Sequence, residues 1–163
     1  MDRKIRGITI IEVIVVMAIL SILASTAIIQ LIKQIQRQRL IETTQKVVQT
    51  LEEVRRMSSS RQNMYGVRIS GNLVEIYEYN STQTNCGPGT IKESYTLPSG
   101  VILDVDSQVV ILYDRMGYPR NYSCGFGANR IILKSQPLNS HRAICINRYG
   151  RIRVVEGQTC PQE

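Results

Sequence analysis

From Ile8 to Tyr65 the chain contains neither glycine nor proline, so the two strongest helix breakers are missing from the whole stretch. Histidine occurs once, at His141. No serine, cysteine or carboxylate stands at a spacing from it that a catalytic pair would use, and nothing supports an enzyme. Cysteine is absent before Cys86, and the separations among Cys86, Cys124, Cys145 and Cys160 are 38, 21 and 15 residues. Those spacings match no compact zinc pattern, so neither a metal nor a cofactor is expected. The short glycine pattern "CGFGANR" follows no strand-to-helix transition and reads as a disulfide-bounded loop rather than a phosphate cradle. Acidic residues are scarce, 13 against 20 basic ones, for a formal charge of +7. Clustered, that excess attracts polyanions; evenly spread, it only aids solubility.

What the chain has in abundance is an apolar start. The 22 residues from Ile8 to Ile29 carry one charge, Glu12. At about 1.5 Å per residue they span a hydrocarbon core of roughly 30 Å. The run is too long for a secretory signal core, and polar helical sequence follows it directly. Arg3, Lys4 and Arg6 precede it. The positive-inside rule therefore puts the N-terminus in the cytoplasm and the remainder outside, where disulfides form. A plain anchor would not need Glu12, because a carboxylate in a membrane segment costs about 3 kcal/mol on insertion scales and usually has a partner and a task. A nearby cation arises if the chain is cut before Ile8.

The stretch "RGITIIEVIVVMAILSILA" resembles the processing site and anchor of type IV pilins and pseudopilins. The resemblance implies that a prepilin peptidase cuts after Gly7 and that Ile8 becomes the N-methylated first residue. It also implies that Glu12 pairs with a neighbouring subunit's terminal amine during assembly by the inner-membrane machinery. Ile8 stands where phenylalanine is commonest. Ser21 and Ile29 stand where many members have glycine and helix-bending proline, which removes the usual local melting point.

The boundaries expected are 1–7 for the cleaved leader and 8–29 for the transmembrane and assembly helix. An amphipathic continuation over 30–60 and a β-rich domain over 61–163 follow. The helix is expected to run to about Ser58, with Ile32, Ile35, Leu40, Val47, Leu51 and Val54 as its apolar stripe. Lys33, Arg37, Arg39, Glu42, Lys46, Glu52, Arg55 and Arg56 lie opposite and read as a solvated face. Beyond it about eight short strands follow, with hairpin turns at Gly71-Asn72 and Tyr149-Gly150. The expected class is α+β, a long helix packed on a mostly antiparallel sheet. Four cysteines allow three pairings. Cys86–Cys124 with Cys145–Cys160 is preferred, the second tying the tail to a strand for about 3 kcal/mol.

The last hairpin, "ICINRYGRIRV", carries the most chemistry. Strand alternation puts Arg151 and Arg153 on one face and Ile152 and Val154 on the other, toward the core. Arg148 stands across the turn, Gly150 permits a positive φ, and Tyr149 offers a ring for stacking. Clustered guanidiniums suit phosphate. "YGVRIS", "VILYDRMG" (with Tyr113 and Gly117) and this hairpin look like the FimT/GspH class of minor pilins and pseudopilins. In that class a glycine-arginine-x-arginine hairpin is implicated in capturing extracellular DNA for natural transformation. Carried over, the binding residues are Gly150, Arg151 and Arg153, with Arg148 added from the sequence. The ligand would be double-stranded DNA held by its backbone. Arg130, Lys134 and Arg142 are further candidates for the patch. Two alternatives stand beside this. One is a structural or priming subunit of a pilus or type II secretion pseudopilus, partnered only by other pilin subunits, with its arginines paired to Glu156 or a neighbour. The other is an adhesin.

Overall fold

The structure, a computed structural model, describes residues 9–79, 89–104, 108–121, 124–127 and 129–161. The chain forms two compact units, Met1–Ile35 and Gln36–Glu163. One helix, α1 (Ile10–Arg61), contributes to both. The leader positions Gly7 and Ile8 lie outside the described residues.

In the first unit α1 carries no charged residue from Val13 to Ile29, and apolar side chains such as Ile14, Met17 and Leu23 are exposed. Such a helix needs an apolar surrounding, and it is long and apolar enough to cross a membrane. Two of its hydroxyls bond within the helix: Ser21 Oγ donates to Met17 O at 2.7 Å and Ser25 Oγ to Ile22 O at 2.8 Å. That is how a hydroxyl avoids an unmet hydrogen bond in lipid. Glu12 sits exposed in the first turn of α1, where the helix dipole favours an anion.

In the second unit α1 buries Leu40, Val47, Leu51 and Val54. Fully burying a side chain such as Leu51 is worth about 2 kcal/mol. The buried face is wider than the apolar stripe, because Thr43, Thr44, Thr50 and Ser58 share it. Each donates its hydroxyl to the carbonyl four residues earlier, at 2.6–3.0 Å. Met57 packs on the core and Ser58 is buried, so the helix continues to Arg61, past the expected end near Ser58.

The strands form two antiparallel sheets rather than one. The first has the order β3-β2-β1-β5-β6, from β1 (Tyr65–Ser70), β2 (Leu73–Glu78), β3 (Thr90–Thr96), β5 (Val109–Tyr113) and β6 (Pro119–Arg120). The second is β4-β7-β8-β9, from β4 (Val101–Leu103), β7 (Asn129–Ser135), β8 (Ser140–Ile146) and β9 (Ile152–Glu156). The β1–β2 hairpin turns at Gly71-Asn72, with Ser70 opposite Leu73 and Gly71 at φ +60°. Gly66, opposite Tyr77, has no room for a side chain because the Tyr77 ring lies where a Cβ would sit. The two-residue β6 carried no sequence signal; its place is set by its pairing with β5.

One core joins α1 to both sheets, through residues such as Val67 and Ile111 of the first and Ile131 and Ile144 of the second. Ile152 packs against it as expected, but Val154 is 41% exposed. The expectation that Val154 buries is corrected: β9 is an edge strand, and its middle faces water.

Candidate functional site

Two turns of nearly identical construction stand at one end of the second unit. In the β8–β9 turn, Asn147 N donates to Arg151 O at 3.1 Å and Gly150 N to Asn147 O at 2.9 Å. Asn147 Oδ1 accepts from Tyr149 N and Arg151 N at 3.1 and 2.9 Å. In the turn after β5, Asp114 N donates to Tyr118 O at 3.0 Å and Gly117 N to Asp114 O at 2.8 Å. Asp114 Oδ1 accepts from Met116 N and Tyr118 N at 3.0 and 2.9 Å. Both glycines have φ +79°, a value that favours glycine over any side chain. "DRMGY" and "NRYGR" thus build the same three-residue loop, a side chain of Asx type closing it and a left-handed glycine ending it.

Arg55 joins them. Its Nε donates to Gly117 O at 3.1 Å, Nη1 to Gly150 O at 2.9 Å and Nη2 to Tyr149 O at 3.4 Å. The reading of Arg55 as part of a solvated helix face is corrected: it is half-buried, and its fork is spent on backbone carbonyls. Beneath the turn after β5 Tyr113 is fully buried, and burial pushes its phenol well above the ordinary value.

Beside the β8–β9 turn lies an open groove of about 1000 Å³. Arg148, Arg151 and Arg153 line it, and so do Arg130, Phe126 and Tyr149. Arg151, which closes the turn, and Arg153 of the edge strand β9 share it because they are two residues apart in extended chain. Arg130 joins them through register: Arg130 of β7 and Arg153 of β9 both stand opposite Cys145 of β8. Arg130 Nη1 also donates to Gln158 O at 3.2 Å. The Cys145–Cys160 disulfide, on the same groove, ties the tail across this face. The other preferred pairing, Cys86–Cys124, involves Cys86, which lies outside the described residues.

The remaining candidates lie apart from the groove. Arg142 pairs with Glu156 at 2.7 Å, and Lys134 stands opposite His141 toward the other end of the sheet. His141 Nε2 contacts Asp104 Oδ2 at 3.0 Å. No acidic side chain lines the groove among the described residues. Arg148 lies over the Tyr149 ring, 5.0 Å from its centroid. Phe126, which sequence reasoning passed over, bridges to Arg120 in the backbone and has the Arg120 guanidinium 3.4 Å from its centroid. Its only sequence signal was an aromatic residue flanked by glycines in a polar loop.

Residues 2–28 match the prokaryotic N-terminal methylation motif. The fold is similar to that of the type IV minor pilin FimU of Pseudomonas aeruginosa, with a TM-score of 0.56 and 12% identity over 77% of this chain and 97% of that one. It is also similar to the minor pseudopilin EpsH from the type 2 secretion system of Vibrio cholerae. There the TM-score is 0.52 and the identity 13%, over 71% of this chain and 94% of the other. No curated protein matches the chain by sequence. The chain thus carries a prokaryotic N-terminal methylation motif on a fold similar to those of a type IV minor pilin and a minor pseudopilin. The methylation motif overlaps the apolar half of α1. The arginine groove lies in the β-rich unit, on a part of the fold the motif does not reach.

Proposed function

We propose that the chain is a minor pilin-like subunit of a type IV pilus that binds extracellular DNA without sequence preference through its C-terminal arginine hairpin. A prepilin peptidase cuts after Gly7, and Ile8 becomes the methylated N-terminus. The apolar half of α1 anchors the subunit in the inner membrane with the β-rich unit outside the cytoplasm. Assembly machinery then draws it into a filament, where Glu12 meets the terminal amine of a neighbouring subunit. Glu12→Ala should leave cleavage intact and block entry into filaments; normal incorporation would overturn that role.

The observation that carries DNA binding is the convergence of Arg130, Arg148, Arg151 and Arg153 on one groove whose described lining holds no carboxylate. Glu156, the internal partner weighed for the hairpin, is engaged by Arg142. Four guanidiniums together repel one another, and a phosphate backbone relieves that repulsion with paired donors from each planar fork. Gly150 and Asn147 present the hairpin tip, and Arg55 holds it.

The test titrates the full chain in nonionic detergent against labelled duplex DNA at several salt concentrations, beside an Arg151→Gln/Arg153→Gln variant. Binding should weaken with salt at a log–log slope of about −0.9 per phosphate contacted, and the variant should bind more weakly with a shallower slope. Equal binding by both proteins, or none at low salt and high protein concentration, would favour the second reading. That reading is a structural or priming subunit of a pilus or pseudopilus without a ligand of its own, and the comparable likeness to a secretion-system pseudopilin favours it.

A further inference from the structure

The groove holds two rings that phosphate binding does not use. Phe126 is 63% exposed and Tyr149 is 59% exposed, and both line it with the arginines. Neither ring is loosely placed. Arg120 lies over Phe126 and is itself fixed by Asp114, whose Oδ2 accepts from its Nε at 3.1 Å and its Nη2 at 2.9 Å. Tyr118 meets Phe126 edge-on, with centroids 6.4 Å apart. Tyr149 rides on the turn closed by Asn147 and pinned by Arg55, with Arg148 over its ring.

Two oriented, solvent-facing rings beside a cationic groove form a stacking platform. A blunt duplex offers such a platform little, because its base faces are stacked inside the helix and only phosphates and groove edges are outside. An unpaired strand offers phosphates and π-faces together. An acidic peptide would use the arginines but leave the rings unmatched. We infer that the groove between Phe126 and Tyr149 takes a strand with unpaired bases, at a frayed end or single-stranded stretch, stacking bases on the two rings while Arg130, Arg151 and Arg153 hold its phosphates.

This rests on the arginine hairpin being the phosphate contact, and the two can be tested apart. The full chain in nonionic detergent is titrated by fluorescence anisotropy against a labelled 12-nucleotide single strand and a blunt duplex of the same length. Phe126→Leu and Tyr149→Leu keep apolar bulk and remove the ring face; Phe126→Tyr keeps the ring. Each leucine variant should lose roughly tenfold in affinity for the single strand while its duplex affinity stays within about twofold. Phe126→Tyr should bind both as the unaltered chain does. If the leucine variants bind the single strand as tightly as the unaltered chain, or lose both ligands equally, the stacking site is overturned and the arginine reading stands. If the unaltered chain binds neither ligand at low salt, both fail.

Discussion

The guanidinium of Arg55 donates to the carbonyl of Gly150 at 2.9 Å and, through Nε, to that of Gly117 at 3.1 Å. One side chain of α1 therefore fixes two loops that are about 33 positions apart in sequence and alike in construction. Arg55→Met keeps the aliphatic stem and removes every donor. It should lower stability by about 1–2 kcal/mol, since the freed carbonyls are only partly open to water. Hydrogen exchange should accelerate at the Gly117 and Gly150 amides. Arg55→Lys should restore little, because one ammonium cannot reproduce the planar fork. Unfolding in urea and amide exchange check both statements; unchanged protection in Arg55→Met would mean that the Asx bonds hold the turns unaided.

Gly150 answers to two constraints and Gly71 to one. Both have positive φ, but a Cβ at Gly71 meets nothing within 4 Å. At Gly150 it would stand 3.1 Å from Arg55 Cζ and 3.2 Å from Gly117 O. Gly71→Ala should therefore cost about 1–2 kcal/mol, the backbone term alone. Gly150→Ala should cost more. Combined with Arg55→Met it should cost less than the sum of the single changes, because the Arg55 contact is lost only once. Denaturant titrations of the four proteins measure this directly, and simple additivity would remove Arg55 from the account of Gly150.

Much of this was written in local pattern. The helix follows from a stretch without glycine or proline, and Gly71-Asn72 marks a hairpin that the fold contains. Arg151 and Arg153 share a face because strands alternate. What sequence could not carry was long-range. Arg55 reads as one more surface cation until the carbonyls of Gly117 and Gly150 come within reach. Arg130 joins the groove only through its register with Cys145. Val154 was misread because alternation says which face a residue takes, not whether an edge strand is covered there. The division into two sheets likewise depends on pairings such as β1 with β5, between strands distant in sequence.

The Cys145–Cys160 bridge closes a loop with a sequence separation of 15. Cys145→Ser/Cys160→Ser should lower stability by about 3 kcal/mol on loop-closure grounds. It should also loosen the tail that supplies Gln158 O to Arg130. If that carbonyl holds Arg130 at the groove, weakened polyanion binding should accompany the lost stability. Unfolding midpoints with and without reductant test the first effect, and heparin affinity the second. Lost stability with full heparin affinity would show that Arg130 needs no help from the tail.

Glu78 gives the fold its clearest acid sensitivity. The Lys92 ammonium lies 2.6 Å from Oε2, the Tyr65 hydroxyl donates to Oε1 at 2.9 Å and Asn63 Nδ2 at 3.0 Å. Together, with Lys92 foremost, they hold the carboxyl at about 2, against an ordinary value of 4.5. A carboxyl lowered on folding stabilises the protein fully above its unfolded value, and that contribution disappears as pH falls through the folded one. Stability should therefore decline from about pH 4.5 toward pH 2, and Glu78→Gln should flatten this part of the curve. The variant should be the less stable protein at pH 7, with the difference shrinking toward pH 2, where the native carboxyl is half-protonated. Urea unfolding across that range decides it. Parallel curves for the two proteins would remove Glu78 from the account of the acid sensitivity.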